Sequence, residues 1–277
     1  MKSAGDPWNQ AHDAAASAGV ALRPLTTLDD ADRVISVMVA TWGSEEQLSR
    51  DFVRALQGSG NMPYGALEGN ELVGYVLGWM GVDPEDGLHV HSHMLAVLPE
   101  RRHRAIGRAL KLAQRAQALD AGVRVVRWTF DPVVARNAYF NLIKLGAVAD
   151  RFHRHYYGDM ADAINRGERS DRLEARWDLE RSPDEPVAHY GPVEMVLGVD
   201  GADEAPEPSP LKPPTGEPIA LVCVPPEYPA IREQDPALAR RWRDAVAEAI
   251  ETCLAAGMVA SGFTRESAYM FTRRDQP

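Results

Sequence analysis

The stretch from residue 94 to residue 110 combines residue types that can bind an anion. An apolar strand segment is followed by a proline, an arginine-rich turn and then small residues that lead into a helix. Such a strand–turn–helix directs several backbone N–H groups to one spot at the positive end of the helix dipole. Ala105 and Gly107 leave room for a ligand, while Arg102 and Arg104 add positive charge. These residues alone predict either a pyrophosphate site or an ordinary strand-to-helix turn.

Three histidines precede this turn on the strand that leads into it. His89, His91 and His93 are two residues apart, so a regular strand would direct all three side chains to one face. An imidazole with a pKa of about 6.5 can accept a proton from an amine near neutral pH. The alternatives are a hydrogen-bonded core histidine and a zinc site. Zinc is disfavoured because successive ligands on one strand lie about 6.6 Å apart.

Hydrophobic periodicity predicts the elements that hold these residues. A short strand and a pair of helices come first, followed by a three-stranded antiparallel meander over residues 64–97. A helix over 104–119 follows the turn, and then come a strand over 123–130, a helix over 134–145 and a pair of strands. The tail after residue 219 predicts a strand, a helix that begins at Asp235 and Pro236, and a final hairpin.

The turn also carries a motif, Val97-Leu98-Pro99-Glu100 followed by Arg102-x-x-Ala105-x-Gly107. This motif resembles the acyl-CoA signature of the GNAT superfamily of N-acyltransferases, with Ala105 in place of the first glycine. Further blocks are similar to one branch of predicted acyltransferases in that superfamily, namely Trp128-Thr129-Phe130-Asp131-Pro132, Arg136-Asn137-Ala138-Tyr139-Phe140-Asn141, Lys144-Leu145-Gly146-Ala147 and Ser170-Asp171-Arg172. The resemblance covers residues 20–180 and is weaker in the tail.

The resemblance implies an α/β (α+β) fold, with a mixed, mostly antiparallel sheet flanked by helices and a smaller C-terminal α/β unit. It also implies that acyl-CoA, as acetyl-CoA or succinyl-CoA, is the co-substrate and that no metal is needed. In this family the pantetheine arm pairs with the fourth strand where the fifth strand splays away. The implied cofactor-binding residues are Leu95, Ala96, Val97, Arg102, His103, Arg104, Ala105, Ile106, Gly107, Arg108 and, on the later helix, Asn137.

The catalytic roles implied by the resemblance transfer less completely. His93 lies nearest the expected thioester and is the candidate general base, with a core histidine as the alternative. Many family members have a tyrosine that protonates the departing thiolate, but Leu142 stands at that position. Tyr139, about one helical turn earlier, is the candidate proton donor.

Two further residues are candidates for the substrate side of the site. Trp128 would form a pocket wall, and Arg172 could hold a carboxylate of the acceptor or of the acyl group. A structural ion pair between Arg172 and Asp171 is the alternative. Deprotonating an amine of pKa about 10.4 at pH 7 costs roughly 4.6 kcal/mol, against about 1.4 kcal/mol for an α-amine. A histidine base therefore suits an α-amine more easily than a lysine side chain, and the resemblance to the acyltransferase branch implies a small amino-acid-like acceptor.

Composition limits the classes of partner. The 277 residues carry a net charge of −10, which argues against a nucleic-acid partner. Cys223 and Cys253 lack paired spacing, which predicts free thiols, with a disulfide or a metal pair as the alternative. No apolar run approaches the roughly 18 residues of a membrane span. We therefore expect a cytoplasmic protein with no membrane or nucleic-acid partner.

These observations define the expected organisation and function. Residues 1–19 are expected to be a frayed leader, 20–180 the acyl-CoA-binding domain, 181–218 a Pro-rich connection and 219–277 a C-terminal unit that could serve a homodimer. The expected activity is direct transfer of an acetyl or succinyl-type group from acyl-CoA to the amine of a small acceptor. The alternative is a non-catalytic acyl-CoA-binding protein, which the leucine at position 142 keeps open.

Overall fold

The computed structural model describes residues 6–44, 48–102, 104–162, 167–182, 191–201 and 206–273. The chain divides into two compact units. Unit 1 is Met1–Trp128, Asp159–Glu168 and Asp178–Ser182, and unit 2 is Thr129–Gly158, Arg169–Trp177 and Pro183–Pro277. This division does not coincide with the limits predicted at residues 20, 180 and 219. Within the described ranges, no helix has both the length and the apolar character needed to cross a membrane.

Unit 1 is a five-stranded sheet between two layers of helices. Its elements are α1 (Pro7–Ser17), β1 (Ala21–Pro24), α2 (Leu28–Trp42), α3 (Arg50–Gly58), β2 (Tyr64–Glu68), β3 (Glu71–Asp83), β4 (Gly87–Val97), α4 (Ile106–Asp120) and β5 (Val125–Phe130), whose last two residues belong to unit 2. The strand order is β1-β2-β3-β4-β5. All neighbours are antiparallel except β4 and β5, which are parallel.

The two faces of this sheet have separate cores. Helices α2 and α3 cover one face, where Leu77 and Tyr75 pack among their apolar side chains. Helix α2 begins with a capping box in which the Thr27 hydroxyl accepts the Asp30 N–H and the Asp30 carboxylate accepts the Thr27 N–H. Helices α1 and α4 cover the other face, where Val76 packs against them. The site described below lies on β4, between these two cores.

The expected frayed leader is wrong for residues 7–17, which form α1. The Asp6 carboxylate accepts the N–H groups of Trp8 and Asn9, and Pro7 occupies the first turn. This combination is a strong helix start that the alanine-rich composition of the segment obscures. The helix packs on α4, and the Trp8 indole N–H donates to the Asp120 carboxylate at 2.7 Å.

Among the described residues, unit 2 contains the later strands of the chain together with three α-helices. Its elements are α5 (Ala135–Ala138), β6 (Val148–His153), β7 (Arg172–Asp178), β8 (Val193–Leu197), β9 (Val199–Asp200), β10 (Glu207–Pro208), β11 (Ile219–Cys223), α6 (Tyr228–Gln234), α7 (Pro236–Ala255), β12 (Met258–Phe263) and β13 (Ala268–Arg273). Six of the strands follow the order β7-β6-β12-β13-β11-β8, antiparallel except for β11 with β8. With unit 1, this confirms the predicted mixed, mostly antiparallel α/β fold.

Two predicted segments of unit 2 differ from expectation. The Pro-rich connection over 181–218 contains β8, because its apolar run buries Val196 and Leu197 beside β11. The regular helix predicted over 134–145 is the short α5 followed by a π-helix over Tyr139–Lys144. The signals for α7 are confirmed, since the Asp235 carboxylate caps it and Gly257 follows its end with φ +75°.

Candidate functional site

The central irregularity of β4 is a bulge at His93. The register with β3 pairs Met94 with Leu77 and Ser92 with Gly78, so His93 is left over as the extra residue. A Cβ on Gly78 would overlap the carbonyl oxygen of His91, and only glycine therefore fits opposite the bulge. Because of the bulge, His93 and Met94 both face α2 and α3, and the alternation of side chains is shifted beyond this point. His93 contacts Trp79 on the α2/α3 face, whereas Ser92 is directed to α4.

Beyond the bulge, β4 has an open backbone edge on the side of β5. The register of β4 with β5 joins only Val90 with Val126 and His91 with Arg127. The N–H of Leu98 donates to the Val73 carbonyl at 2.9 Å, so alternation turns the backbone groups of Leu95 and Val97 away from β3. Within the described part of the chain, no backbone partner meets Leu95 or Val97 on that side. The short pairing of β4 with β5 agrees with the splayed strands that the family resemblance implies.

The backbone of Ala96 takes the opposite orientation. Alternation along β4 turns the N–H and carbonyl of Ala96 toward β3, where Tyr75 is its partner residue. Its methyl group is buried in the core beneath α2 and α3. Of the three predicted strand residues, Leu95 and Val97 therefore offer backbone groups at the open edge, whereas Ala96 does not.

The turn after β4 collects unpaired amides at the start of α4. Pro99–Arg101 forms a 3-10 turn, and Ala105 is the N-cap of α4 in the left-handed region, with φ 60° and ψ 12°. The Arg108 N–H donates to the Ala105 carbonyl, but the N–H groups of residues 104–107 have no acceptor among the residues described. Four free amides at the positive end of a 15-residue helix can bind an anion.

The arginines of the turn take different roles. Arg104 and Arg101 both bind the Glu68 carboxylate, at 3.0 Å and 2.7 Å. The hydrogen bond from Arg104, with the nearby positive charges, lowers the pKa of Glu68. The Arg104 guanidinium thus shares the Glu68 carboxylate with Arg101. Arg102 directs its Nε to the Val97 carbonyl at 3.4 Å. The predicted residue His103 lies outside the described residues.

The predicted histidines lie on one face, together with a tryptophan. The ring centroids of His91 and His93 lie 5.2 Å and 4.8 Å from that of Trp79. His89 faces the same side across Gly81. Burial lowers the pKa of His93, and its Nδ1 is buried with no hydrogen-bond partner among the described residues. A neutral imidazole with an unpartnered nitrogen is ready to accept a proton from a bound amine.

The metal alternative finds no support in the described segments. They contain no group of three or more histidine, cysteine, aspartate or glutamate side chains arranged to hold a metal ion. Cys223 and Cys253 are both free thiols, as the sequence predicts.

Sequence reasoning missed a buried lysine on the opposite face of β4. Lys111 is only 2% exposed, and its Nζ donates to the Ser92 hydroxyl at 2.9 Å and to the Gln114 amide oxygen at 3.1 Å. The same Nζ lies 3.7 Å from the centroid of the Trp128 ring. The sequence offers one indication of this buried lysine. Only four lysines occur, at residues 2, 111, 144 and 212, and Lys111 falls among apolar helix residues.

Trp128, which is expected to form a pocket wall, has the Lys111 ammonium packed on its ring. The indole is 6% exposed, and the ammonium covers one face of its ring. Trp128 follows Arg127, which is the last residue of β5 paired with β4. The ring therefore lies where the two strands begin to diverge.

The predicted residues of unit 2 have their own surroundings. Tyr139 begins the π-helix and is 38% exposed, with the Lys144 ammonium 5.5 Å from its ring centroid. Leu142, at the position of the family tyrosine, is only 2% exposed and has a purely apolar side chain. The half-buried Asn137 donates its N–H to the Val134 carbonyl. Short π-helical segments frequently occur at functional sites.

Arg172 does not form the predicted alternative ion pair with Asp171. The Asp171 carboxylate instead binds Arg169 through two hydrogen bonds of 2.7 Å, and also accepts the His155 N–H at 3.1 Å. Arg172 is buried, donates to the Asp171 carbonyl, and lies over the Tyr157 ring with its guanidinium carbon 5.3 Å from the centroid. The structural pair is therefore Arg169 with Asp171.

A family model matches a continuous stretch of the chain that contains β4 and the turn after it. Residues 31–142 match the model of the acetyltransferase (GNAT) family. The match confirms, for this part of the chain, the resemblance to GNAT acyltransferases that the motif of the turn predicts. It includes His93, Lys111 and all of the turn. The search of curated proteins gave no match.

Solved structures similar to this chain include two N-acetyltransferases and a protein named Naa20. A ribosomal-protein-S18-alanine N-acetyltransferase from Escherichia coli is 16% identical, with 58% of this chain and 94% of that chain covered and a TM-score of 0.46. Naa20 of Chaetomium thermophilum is 21% identical, with coverage of 59% and 88% and a TM-score of 0.47. An N-acetyltransferase from Staphylococcus aureus is 12% identical, with coverage of 58% and 98% and a TM-score of 0.46.

Proposed function

We propose that this protein transfers an acetyl or succinyl-type group from acyl-CoA directly to the amine of a small amino-acid-like acceptor. The observation that carries the proposal is the continuity of two features of unit 1. The free amides of residues 104–107 lie at one end of β4, and the open backbone edge of Leu95 and Val97 continues from them. A pyrophosphate fits the amides, and an extended amide-containing arm fits the strand edge.

His93 is the proposed general base for the acceptor amine. Its unpartnered Nδ1 and its lowered pKa keep it neutral and able to take a proton near pH 7. The nitrogen of the acceptor forms a bond to the acyl carbon, the bond from carbon to sulfur breaks, and free CoA leaves. The roles of Asn137, Tyr139 and Arg172, an acceptor of the amino-acid class and a cytoplasmic location remain predictions from the sequence.

The test of this proposal separates binding from turnover. CoA binding is measured by calorimetry, with pantetheine as a comparison ligand that lacks the pyrophosphate. Thiol release is then followed with acetyl-CoA and succinyl-CoA across a panel of L- and D-amino acids. We expect CoA to bind more tightly than pantetheine, and at least one amino acid to stimulate thiol release. Tight CoA binding without release from any pair would instead favour a non-catalytic acyl-CoA-binding protein, which the buried Leu142 suggests.

A matched pair of variants in the turn tests which arginine contributes to CoA binding. Arg102 directs its side chain to the open edge at Val97, whereas Arg101 is held by Glu68. We expect Arg102→Ala to weaken CoA binding by about tenfold, the usual worth of one charge-assisted contact. Arg101→Ala, which removes the same charge from the same turn, should leave the affinity within about twofold. Equal effects of both variants would show that only net charge matters.

A further inference from the structure

The departing CoA sulfur needs a proton donor, and the position where many GNAT enzymes have a tyrosine for this step is Leu142 here. The buried Lys111 described above lies beside the reacting end of the proposed site. We propose that Lys111, acting through the hydroxyl of Ser92, supplies this proton. The inference rests on the proposed acyl-CoA chemistry and assigns one of its two proton transfers. Lys111 acts through another residue and is therefore a positioning residue, whereas Ser92 would contact the sulfur.

The position of Ser92 supports this role. Pairing between β4 and β5 ends with His91 and Arg127, so Ser92 is the first β4 residue at the open gap. An arm that pairs with Leu95 and Val97 would run toward Ser92 and His93 as it continues along the strand. Strand alternation places His93 on one face of the sheet and Ser92 on the other. A thioester at this point would have a proton acceptor on one side and a hydroxyl on the other.

The hydrogen bonds of Lys111 have the polarity that a relay requires. The ammonium donates to Ser92 Oγ and to Gln114 Oε1, and it also faces the Trp128 ring. All three of its neighbours act as acceptors, and they match the three N–H bonds of a charged lysine. The Ser92 hydroxyl proton has no acceptor among the described residues, so it is free to be donated into the gap.

Among the described residues, no nearby charged group offsets the desolvation of the Lys111 ammonium. Within the described ranges, no carboxylate lies within salt-bridge distance of its Nζ. Arg127 of β5 is paired with Asp86, and Arg115 of α4 donates to Gln10 and to the Leu179 carbonyl. The histidines of β4 lie on the opposite face. The pKa of Lys111 is therefore lowered well below its usual value by desolvation alone.

Desolvation makes Lys111 a stronger acid than an ordinary lysine, because it lowers the pKa of its ammonium. An ordinary lysine, with a pKa of about 10.4, is a weak acid at neutral pH. Desolvation of Lys111 shifts its acidity in the favourable direction. A general acid whose pKa approaches the working pH typically contributes about 10²- to 10⁴-fold to the rate.

The proton balance of the transfer is complete. The acceptor nitrogen bonds to the acyl carbon and gives one proton to His93, while the carbon–sulfur bond breaks and its electron pair stays on sulfur. The thiolate takes the Ser92 hydroxyl proton, and the Lys111 ammonium replaces that proton. Lys111 ends neutral and His93 ends protonated. One proton lost to solvent by His93 and one gained from solvent by Lys111 through Ser92 restore both groups.

The experiment compares pH profiles of kcat for thiol release with acetyl-CoA or succinyl-CoA and the best amino acid. The wild type should lose activity at high pH as Lys111 loses its proton. Lys111→Met and Ser92→Ala should lower kcat by about 10²-fold and abolish this alkaline limb, with KM for acyl-CoA within about threefold. Lys111→Arg should not restore the rate, because arginine keeps the charge but cannot release its proton.

Gln114→Leu is the matched control, since it removes the other hydrogen bond to the same ammonium. It should keep kcat within about threefold and shift the alkaline limb to lower pH. Each variant is checked for folding by circular dichroism and thermal melting. A Lys111→Met or Lys111→Arg enzyme with wild-type kcat and an unchanged limb would overturn the relay while leaving the proposed function intact. A wild type that binds CoA but never releases thiol would overturn both.

Discussion

Ser92 and His93 are consecutive residues of β4 whose side chains lie on opposite faces of the sheet, beside a bulge that leaves His93 unpaired. The Ser92 hydroxyl accepts a hydrogen bond from Lys111, and the His93 ring packs on Trp79. One step of backbone thus presents two different polar groups at the point where β4 and β5 separate. The predictions below test what each group contributes.

The first prediction concerns His93 as the general base. His93→Gln should lower kcat/KM by about 10²-fold, because the variant cannot take a proton from the acceptor amine. Burial lowers the pKa of His93, so wild-type activity should fall only below the ordinary histidine pKa of about 6.5. The variant should lack this acidic limb. His91→Gln, on the same face, is the control and should keep the limb.

The second prediction concerns the stability cost of Lys111. Because burial lowers its pKa, the unfolded chain binds more protons than the folded chain between the folded-state pKa and about pH 10.5. Stability of the wild type should therefore rise with pH in this window. Lys111→Met should unfold at higher denaturant concentration than the wild type at pH 7, and this gain should shrink toward pH 10.5. A variant that is less stable at pH 7 would contradict the assigned surroundings of the ammonium.

The third prediction concerns the left-handed N-cap of α4. Ala105 has φ 60°, where a Cβ costs roughly 1 kcal/mol. Ala105→Gly should raise the free energy of unfolding by about 0.5–1 kcal/mol, measured by urea denaturation. Ala109→Gly, inside the same helix, is the opposite control and should lower it by about 1 kcal/mol. Destabilisation by both changes would mean that the turn is not strained at Ala105.

The fourth prediction concerns the ion pairs of Arg169 in unit 2. Asp171 is fully buried and holds both Arg169 and the His155 N–H, whereas Asp244 contacts the same arginine from an exposed position. Asp171→Ala should cost about 3 kcal/mol of stability, because it removes a fully buried carboxylate that accepts three hydrogen bonds. Asp244→Ala should cost less than about 0.5 kcal/mol. Similar losses from the two variants in chemical denaturation would argue against a structural role specific to Asp171.

Much of the site could be predicted from residue types in sequence order. The proline, the arginine-rich turn and the small residues of 99–107 specify a strand-to-helix turn, and the structure has one there. The alternation of histidines also predicted one shared face correctly. The open edge at Leu95 and Val97 came from the family resemblance, and the hydrogen bond from Leu98 to Val73 supports it.

The remaining features depend on partners distant in sequence. The bulge at His93 requires Gly78 on β3 opposite it, and an interior strand glycine signals only that some close approach occurs. Lys111 is buried because α4 packs it against Ser92 of β4 and Trp128 of β5, which no local pattern around residue 111 reveals. The pairing of Arg104 with Glu68 likewise joins two elements that no local pattern connects.

The most direct test of the proposed acyl transfer is to identify and quantify its products by mass spectrometry. The full chain is incubated with acetyl-CoA or succinyl-CoA and one amino acid at a time, and acylated amino acid and free CoA are quantified together by mass spectrometry. Direct transfer predicts equal amounts of the two products, at a rate that His93→Gln reduces by about 10²-fold. Measurable CoA binding with no acylated amino acid from any pair would contradict the proposed acyl transfer.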